Sequence, residues 1–168
     1  MLIIACLANA PKAFADYAPG RVVSLLCADE SAPTFPGLPQ DRHLMLYVND
    51  ESCAETLKNG AEKRARALID FVRNWDGQGD ILVHCNRGVS RSPAAAFIIA
   101  CAMAPDISEA AILAGIRRAA PHADPCPLIV DFADDLLGRK GRMFDAVQDL
   151  APPCTALTAP TVTIQLAA

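Results

Sequence analysis

Apolar and polar positions along the chain follow two periods. Short apolar runs at residues 2–6, 22–27, 44–48 and 81–83 are bounded by polar or turn-forming residues and have strand length. Between residues 54 and 75 the period changes. Leu57, Ala61, Ala65, Leu68, Val72 and Trp75 recur at intervals of 4, 4, 3, 4 and 3, which is one face of an amphipathic helix with Lys63, Arg64 and Arg66 on its other faces. "DGQG" breaks that helix before the strand at 81–83. Residues 28–43 contain three prolines and a glycine and are expected to form a loop.

The second half of the chain is helical in pattern. "PAAAFIIACAMA" is apolar all round, as a central, buried helix requires. Asp106 and Glu109 have the spacing of a capping box, which opens a helix running to about Ala120. "LIVDFADDLLG" predicts another helix stopped by Gly138, and a short one is expected over residues 143–150. Strands alternating with helices, then a run of helices, predict a single α/β domain over residues 1–150. Its central, mostly parallel sheet has about four to five strands flanked by helices. The uncharged end, "APPCTALTAPTVTIQLAA" (151–168), is expected to be a loosely attached tail, with "TVTIQL" able to pair as an edge strand.

Composition narrows the partners. A chain of 168 residues with 52% apolar and 20% charged residues can bury a substantial core. The net charge of −4 gives no general attraction to nucleic acid or an acidic membrane, so any affinity for phosphate must be local. No run reaches the ~18 apolar residues that span a bilayer, and the apolar start has no basic n-region, so a first strand is expected there and not a signal peptide. Seven cysteines, at 6, 27, 53, 85, 101, 126 and 154, form no CxxC pair. That pattern suits neither a zinc site nor a disulfide framework, so a reducing, cytoplasmic location is expected, with the protein a monomer.

The chemistry concentrates in "DILVHCNRGVSRSPAAAF" (80–97). A strand leads into His84 and Cys85, then a short loop with Gly88, then Arg91, Ser92 and a helix whose first turn holds Pro93. A loop between a strand and a helix N-terminus can turn its backbone N–H groups inward to cradle an anion. The helix dipole adds positive potential at the same point. A cysteine at the base of such a cradle is held as thiolate, and Arg91 can grip two oxygens of a phosphoryl group. That assembly suits in-line attack of Cys85 sulfur on phosphorus.

"HCNRGVSRS" resembles the signature loop of cysteine-based protein tyrosine phosphatases, in the small dual-specificity group. With "HLMLYVND", "LIDFVRNW", "ILVHCNRGVSRSPAAA" and "FADDLLGRKGRMFDA", the resemblance extends over residues 22–147 and looks like a bacterial branch of that group. It implies that Cys85 is the nucleophile and that Arg91 binds phosphate and stabilises the transition state. Ser92 would stabilise the thiolate as leaving group. The backbone of Asn86, Arg87, Gly88, Val89 and Ser90 would supply the other phosphate donors. His84 is either a structural histidine or one that tunes the thiol, and Arg87 points at substrate or at solvent. The resemblance also implies a general-acid aspartate on a loop after a strand upstream of the cysteine. Asp50, which lies 35 residues before Cys85 at the end of the 44–48 strand, fits best, with Glu51 and Asp41 as alternatives. One departure stands out: where related phosphatases carry Pro-Asn, this chain has "ADPCPL", with Cys126 in the asparagine's place.

The expected function is hydrolysis of a phosphomonoester, in a phosphoprotein or an aryl phosphate, through a cysteinyl-phosphate. No cofactor or metal is expected, because Arg91 and the loop amides supply the charge stabilisation. The alternatives are a phosphate-reading binding module without turnover and a phosphatase for non-protein esters.

Overall fold

The computed structural model describes residues 1–48, 54–75 and 77–165. Five strands, β1 (Leu2–Cys6), β2 (Arg21–Cys27), β3 (His43–Val48), β4 (Ile81–Cys85) and β5 (Val162–Ile164), form one sheet in the order β3-β2-β4-β1-β5. The first four are parallel to their neighbours, and β5 runs antiparallel to β1. The edge-strand alternative for "TVTIQL" is therefore the one adopted. The C-terminal segment folds back along the sheet, with Leu2 opposite Ile164.

Period-two alternation divides the sheet into two buried faces. Leu2, Ile4, Val23, Leu25, Ile81, Val83 and Cys85 join the larger core. That core also takes residues from α2 (Ala54–Arg73), α3 (Arg91–Met103), α4 (Glu109–Ala119), α5 (Pro127–Leu137) and α6 (Arg142–Gln148). Ile3, Ala5, Val22 and Leu82 face the other way, onto Phe35 and α1 (Ala10–Tyr17). Helix α1 has no clear signal in the sequence because it buries only Ala10 and Ala13.

Helix α3 is buried continuously from Ser92 to Cys101, as its all-round apolar pattern demands. Gly138 ends α5 in the left-handed conformation, with φ 66°. The start of α4 differs from the expectation. Ser108, not Asp106, is the N-cap, its Oγ accepting from Ala111 N–H at 3.3 Å. Glu109 cannot reach back to complete a capping box, because its carboxylate turns inward to Arg139 at 2.9 Å and Arg142 at 3.1 Å. The strand expected at 81–83 continues to Cys85, all five of its side chains being buried.

The parallel arrangement brings the C-terminal ends of β1, β2 and β4 together. Cys85 is in register with Cys6 on one side and Leu25 on the other. That edge of the sheet is where ligands bind in open α/β folds. Among the described residues no helix is long and apolar enough to cross a membrane.

Candidate active site

Cys85 ends β4 and Arg91 begins α3, so residues 86–90 must reverse the chain within five residues. Gly88 takes φ +74°, which a side chain would oppose. Three outside segments hold the loop by its carbonyls. Leu7 N–H donates to Asn86 O at 3.0 Å, Ala159 N–H to Arg87 O at 2.8 Å and Asp124 N–H to Val89 O at 2.7 Å. A trans peptide is planar, with its C=O and N–H on opposite sides. Turning those three carbonyls outward therefore turns the N–H groups of Arg87, Gly88 and Ser90 inward. One of the three has a visible target: Gly88 N–H donates to Cys85 Sγ at 3.3 Å. Ser92 Oγ lies 3.2 Å from the same sulfur. Both residues are buried, Cys85 at 2% exposure and Ser92 at 0%. A backbone N–H, the Ser92 hydroxyl and the N-terminus of a 13-residue helix thus converge on one sulfur at the floor of a concave loop.

The Arg91 guanidinium lies against the end of β2. Its Nη1 is 3.3 Å from Leu25 O, 3.2 Å from Cys27 Sγ and 3.9 Å from Glu30 Oε2. Glu30 has no motif around it and was not a sequence candidate, yet it links three parts of the site. Its Oε2 accepts from Cys27 N–H at 2.7 Å and its Oε1 accepts from the Asn86 side-chain amide. The local signal was a carboxylate three residues after a strand end, too common to single out.

His84 points to the opposite face of the sheet from Cys85, where Ser24 Oγ bridges His84 Nε2 at 2.6 Å and His43 Nε2 at 2.8 Å. Burial first, and then the neighbouring His43, push the His84 imidazole down to about 4. It is therefore neutral at physiological pH, and it supports the strand. His84 Nδ1 is buried without a partner among the described residues. A buried lone pair is the more readily tolerated orphan, which puts the proton on Nε2, donating to Ser24 Oγ, with the Ser24 hydroxyl donating on to His43 Nε2. Ser24 and His43 were invisible as a pair in the sequence, because only the β2–β3 and β2–β4 registers bring them beside His84.

Arg87 is exposed, but its guanidinium is tied to neighbouring chain. Its Nε donates to Leu157 O at 2.7 Å and its Nη2 to Ala156 O at 3.0 Å, both in the C-terminal segment. The "ADPCPL" stretch meets the loop through the main chain of Asp124, while Cys126 lines a small pocket of about 60 Å3 with Leu25, Arg64, Arg91 and Ile129.

The acid candidates separate by position. Asp41 lies in a 3-10 turn (Gln40–Arg42) just ahead of β3, at the end of the sheet opposite Cys85, so it is not at the site. Asp50 and Glu51 fall outside the described residues, as does Cys53. The strand before them, β3, ends with Val48 paired to Cys27, at the same edge as Cys85.

No family model matches the chain, and no curated protein sequence does. Several solved structures match it. Human DUSP28 superposes with a TM-score of 0.57 at 22% identity, over 82% of this chain and 92% of that one. A mouse putative dual specificity phosphatase complexed with zinc tungstate gives 0.55 at 22% identity, over 83% and 84%. PTPMT1 in complex with PI(5)P gives 0.58 at 14% identity, over 83% and 91%. With a strand, a loop of inward N–H groups and a buried helix meeting at Cys85, the chain has the fold of the dual-specificity group of cysteine-based tyrosine phosphatases.

Proposed function

We propose that the chain is a cysteine-dependent phosphomonoester hydrolase. The observation that carries this reading is the convergence of Gly88 N–H and Ser92 Oγ on Cys85 Sγ, inside a loop whose carbonyls are tied outward. Structural neighbours that are phosphatases, one complexed with tungstate, support it.

In the reaction the ester's phosphoryl group seats on the inward N–H groups of residues 86–90, with two of its oxygens held by Arg91. Cys85 Sγ attacks phosphorus in line as the P–O ester bond breaks, and the departing oxygen takes a proton from the general acid. Asp50 is the proposed acid, since β3 delivers the following chain to the right edge of the sheet and Asp41 lies at the wrong one. Water then attacks the cysteinyl-phosphate and gives its proton to the same carboxylate. Phosphate leaves, and Ser92 Oγ stabilises the sulfur that departs as thiolate. His84, neutral and hydrogen-bonded on the other face, holds the strand and takes no proton.

A phosphoprotein or aryl phosphate is the proposed substrate class. Arg87 is the loop's other cation, and it donates to two tail carbonyls, which weighs against a second phosphate on the substrate. Turnover of para-nitrophenyl phosphate by wild type, Cys85→Ser and Arg91→Lys tests the reading. Both variants should lose nearly all activity, and hydrolysis that persists in Cys85→Ser would refute it.

A further inference from the structure

The segment after α6 takes a path that its composition alone does not explain. Residues 151–158 are mostly exposed, carry no charge and include Pro152 and Pro153. They are nevertheless tied down at both ends. Cys154 N–H donates to Pro121 O at 3.0 Å, and β5 pairs with β1. Between these anchors the segment passes over the outer side of the phosphate loop.

Two different kinds of contact join it there. Arg87 alone makes three hydrogen bonds to the segment: its carbonyl accepts from Ala159, and its guanidinium donates to Leu157 and Ala156. Ala159 is 2% exposed, while the residues on either side of it are exposed. Its methyl group fills the space that Gly88 leaves. A Cβ placed on Gly88 would lie 2.9 Å from Ala159 Cβ.

The consequence follows from one peptide plane. The Arg87 carbonyl and the Gly88 N–H belong to the same peptide unit and point in opposite directions. The bond from Ala159 to Arg87 O therefore sets the direction of the N–H that reaches Cys85 Sγ at 3.3 Å.

We infer that residues 154–164 are a strap that positions the phosphate loop, latched by Arg87 and keyed into it by Ala159. Arg87 acts through the loop's geometry, as a positioning residue, and its side chain is not a substrate contact. The inference rests on the phosphatase reading for its catalytic meaning, but its structural content is independent of turnover.

The test compares wild type with Arg87→Ala, Arg87→Lys, Ala159→Leu and the Arg87→Ala/Ala159→Leu double variant. Tungstate binding is measured by calorimetry, and the rate of Cys85 alkylation by iodoacetate at pH 6 is followed by peptide mass spectrometry. Each single variant should weaken tungstate binding about three- to ten-fold, the loss of one or two hydrogen bonds, and should slow alkylation of Cys85. Arg87→Lys should match Arg87→Ala, because an ammonium lacks the planar fork that spans two carbonyls. The double variant should be no worse than the weaker-binding single one, since both changes release the same strap. Lysine restoring wild-type binding, or two losses that multiply, would assign Arg87 to the anion itself and overturn the inference. Wild type that binds no tungstate would refute the phosphatase reading instead. The alkylation rates would then decide the strap alone, standing if they fall in the variants and failing if they do not.

Discussion

Glu30 Oε2 lies 3.9 Å from Arg91 Nη1, so the arginine proposed to bind phosphate already has a carboxylate beside it. The Glu30 side chain is only 10% exposed and also holds Cys27 N–H and the Asn86 amide. It thereby aims the guanidinium and closes one wall of the loop, at the expense of a negative charge near the proposed anion site. Glu30→Gln keeps an acceptor for Cys27 N–H and removes the charge, with the Asn86 amide able to turn over to match. Tungstate should bind about two- to five-fold more tightly to this variant, a gain of the size expected for a partly screened charge pair. Glu30→Ala, which also releases Asn86 and the turn at Cys27, should bind it more weakly than wild type. Calorimetric titration of both variants checks the opposite signs.

The burial of His84 predicts how stability depends on pH. His84 is held near 4 by burial and by His43, against an unfolded value near 6.5, and burial also lowers His43 and His122. In this window the unfolded chain binds protons that the native chain refuses, so stability rises with pH. It is fully present above about 6.5 and is lost as pH falls toward 4. His84 alone contributes about 3 kcal/mol of that change. Urea unfolding between pH 4 and 7 should show the slope, and His84→Gln should remove most of it. An unaltered slope in His84→Gln would place the dependence on other groups.

Much of this was legible from residue pattern. The four apolar runs became β1 to β4, the 3.6-period stretch became α2, and Gly138 stopped α5. Cys85, Ser92 and Gly88 declared themselves because one short segment carries strand, loop and helix start together. What stayed hidden depends on register and on distant chain. Ser24 meets His84 only across two strands, and Glu30 meets Asn86 from 56 residues away. In the uncharged tail only "TVTIQL" offered a pattern to read; the stretch before it gave none, since that part of the strap is held by main-chain hydrogen bonds and the one buried methyl of Ala159. Asp106 was a plausible cap until Arg139 and Arg142 drew Glu109 inward.

That inward turn makes Glu109 a stability determinant far from the chemistry. It is 3% exposed, and Arg139, 6% exposed, also donates to Pro105 O at 3.0 Å and to Cys101 O. Burial alone would raise the Glu109 carboxyl, but the hydrogen bond from Arg142 and the charges of Arg142 and Arg139 bring it below its ordinary value. The cluster ties the end of α3, the start of α4 and the turn after α5. Glu109→Gln leaves a buried guanidinium without its counter-charge and should cost about 3 kcal/mol in urea unfolding at pH 7. Turnover per folded molecule should be unchanged, because none of these groups reaches Cys85.

Gly88 offers the sharpest local test of the loop. Two independent obstacles oppose any side chain there. Its φ of +74° is in the left-handed region, and a Cβ would approach Ala159 Cβ to 2.9 Å, Cys6 N to 3.0 Å and Ala5 C to 3.2 Å. The last two are backbone atoms of β1, and they cannot swing aside. Relief must therefore come from the loop, by rotating the peptide that aims Gly88 N–H at Cys85 Sγ. Gly88→Ala should cost about 1–3 kcal/mol in stability from backbone strain, while the fold survives because the sheet and α3 do not depend on this residue. Tungstate affinity should fall far more steeply than stability, along with para-nitrophenyl phosphate turnover. A variant that binds tungstate as wild type does would mean that the loop N–H groups are not the anion's main ligands. Binding would then rest on Arg91 and the end of α3.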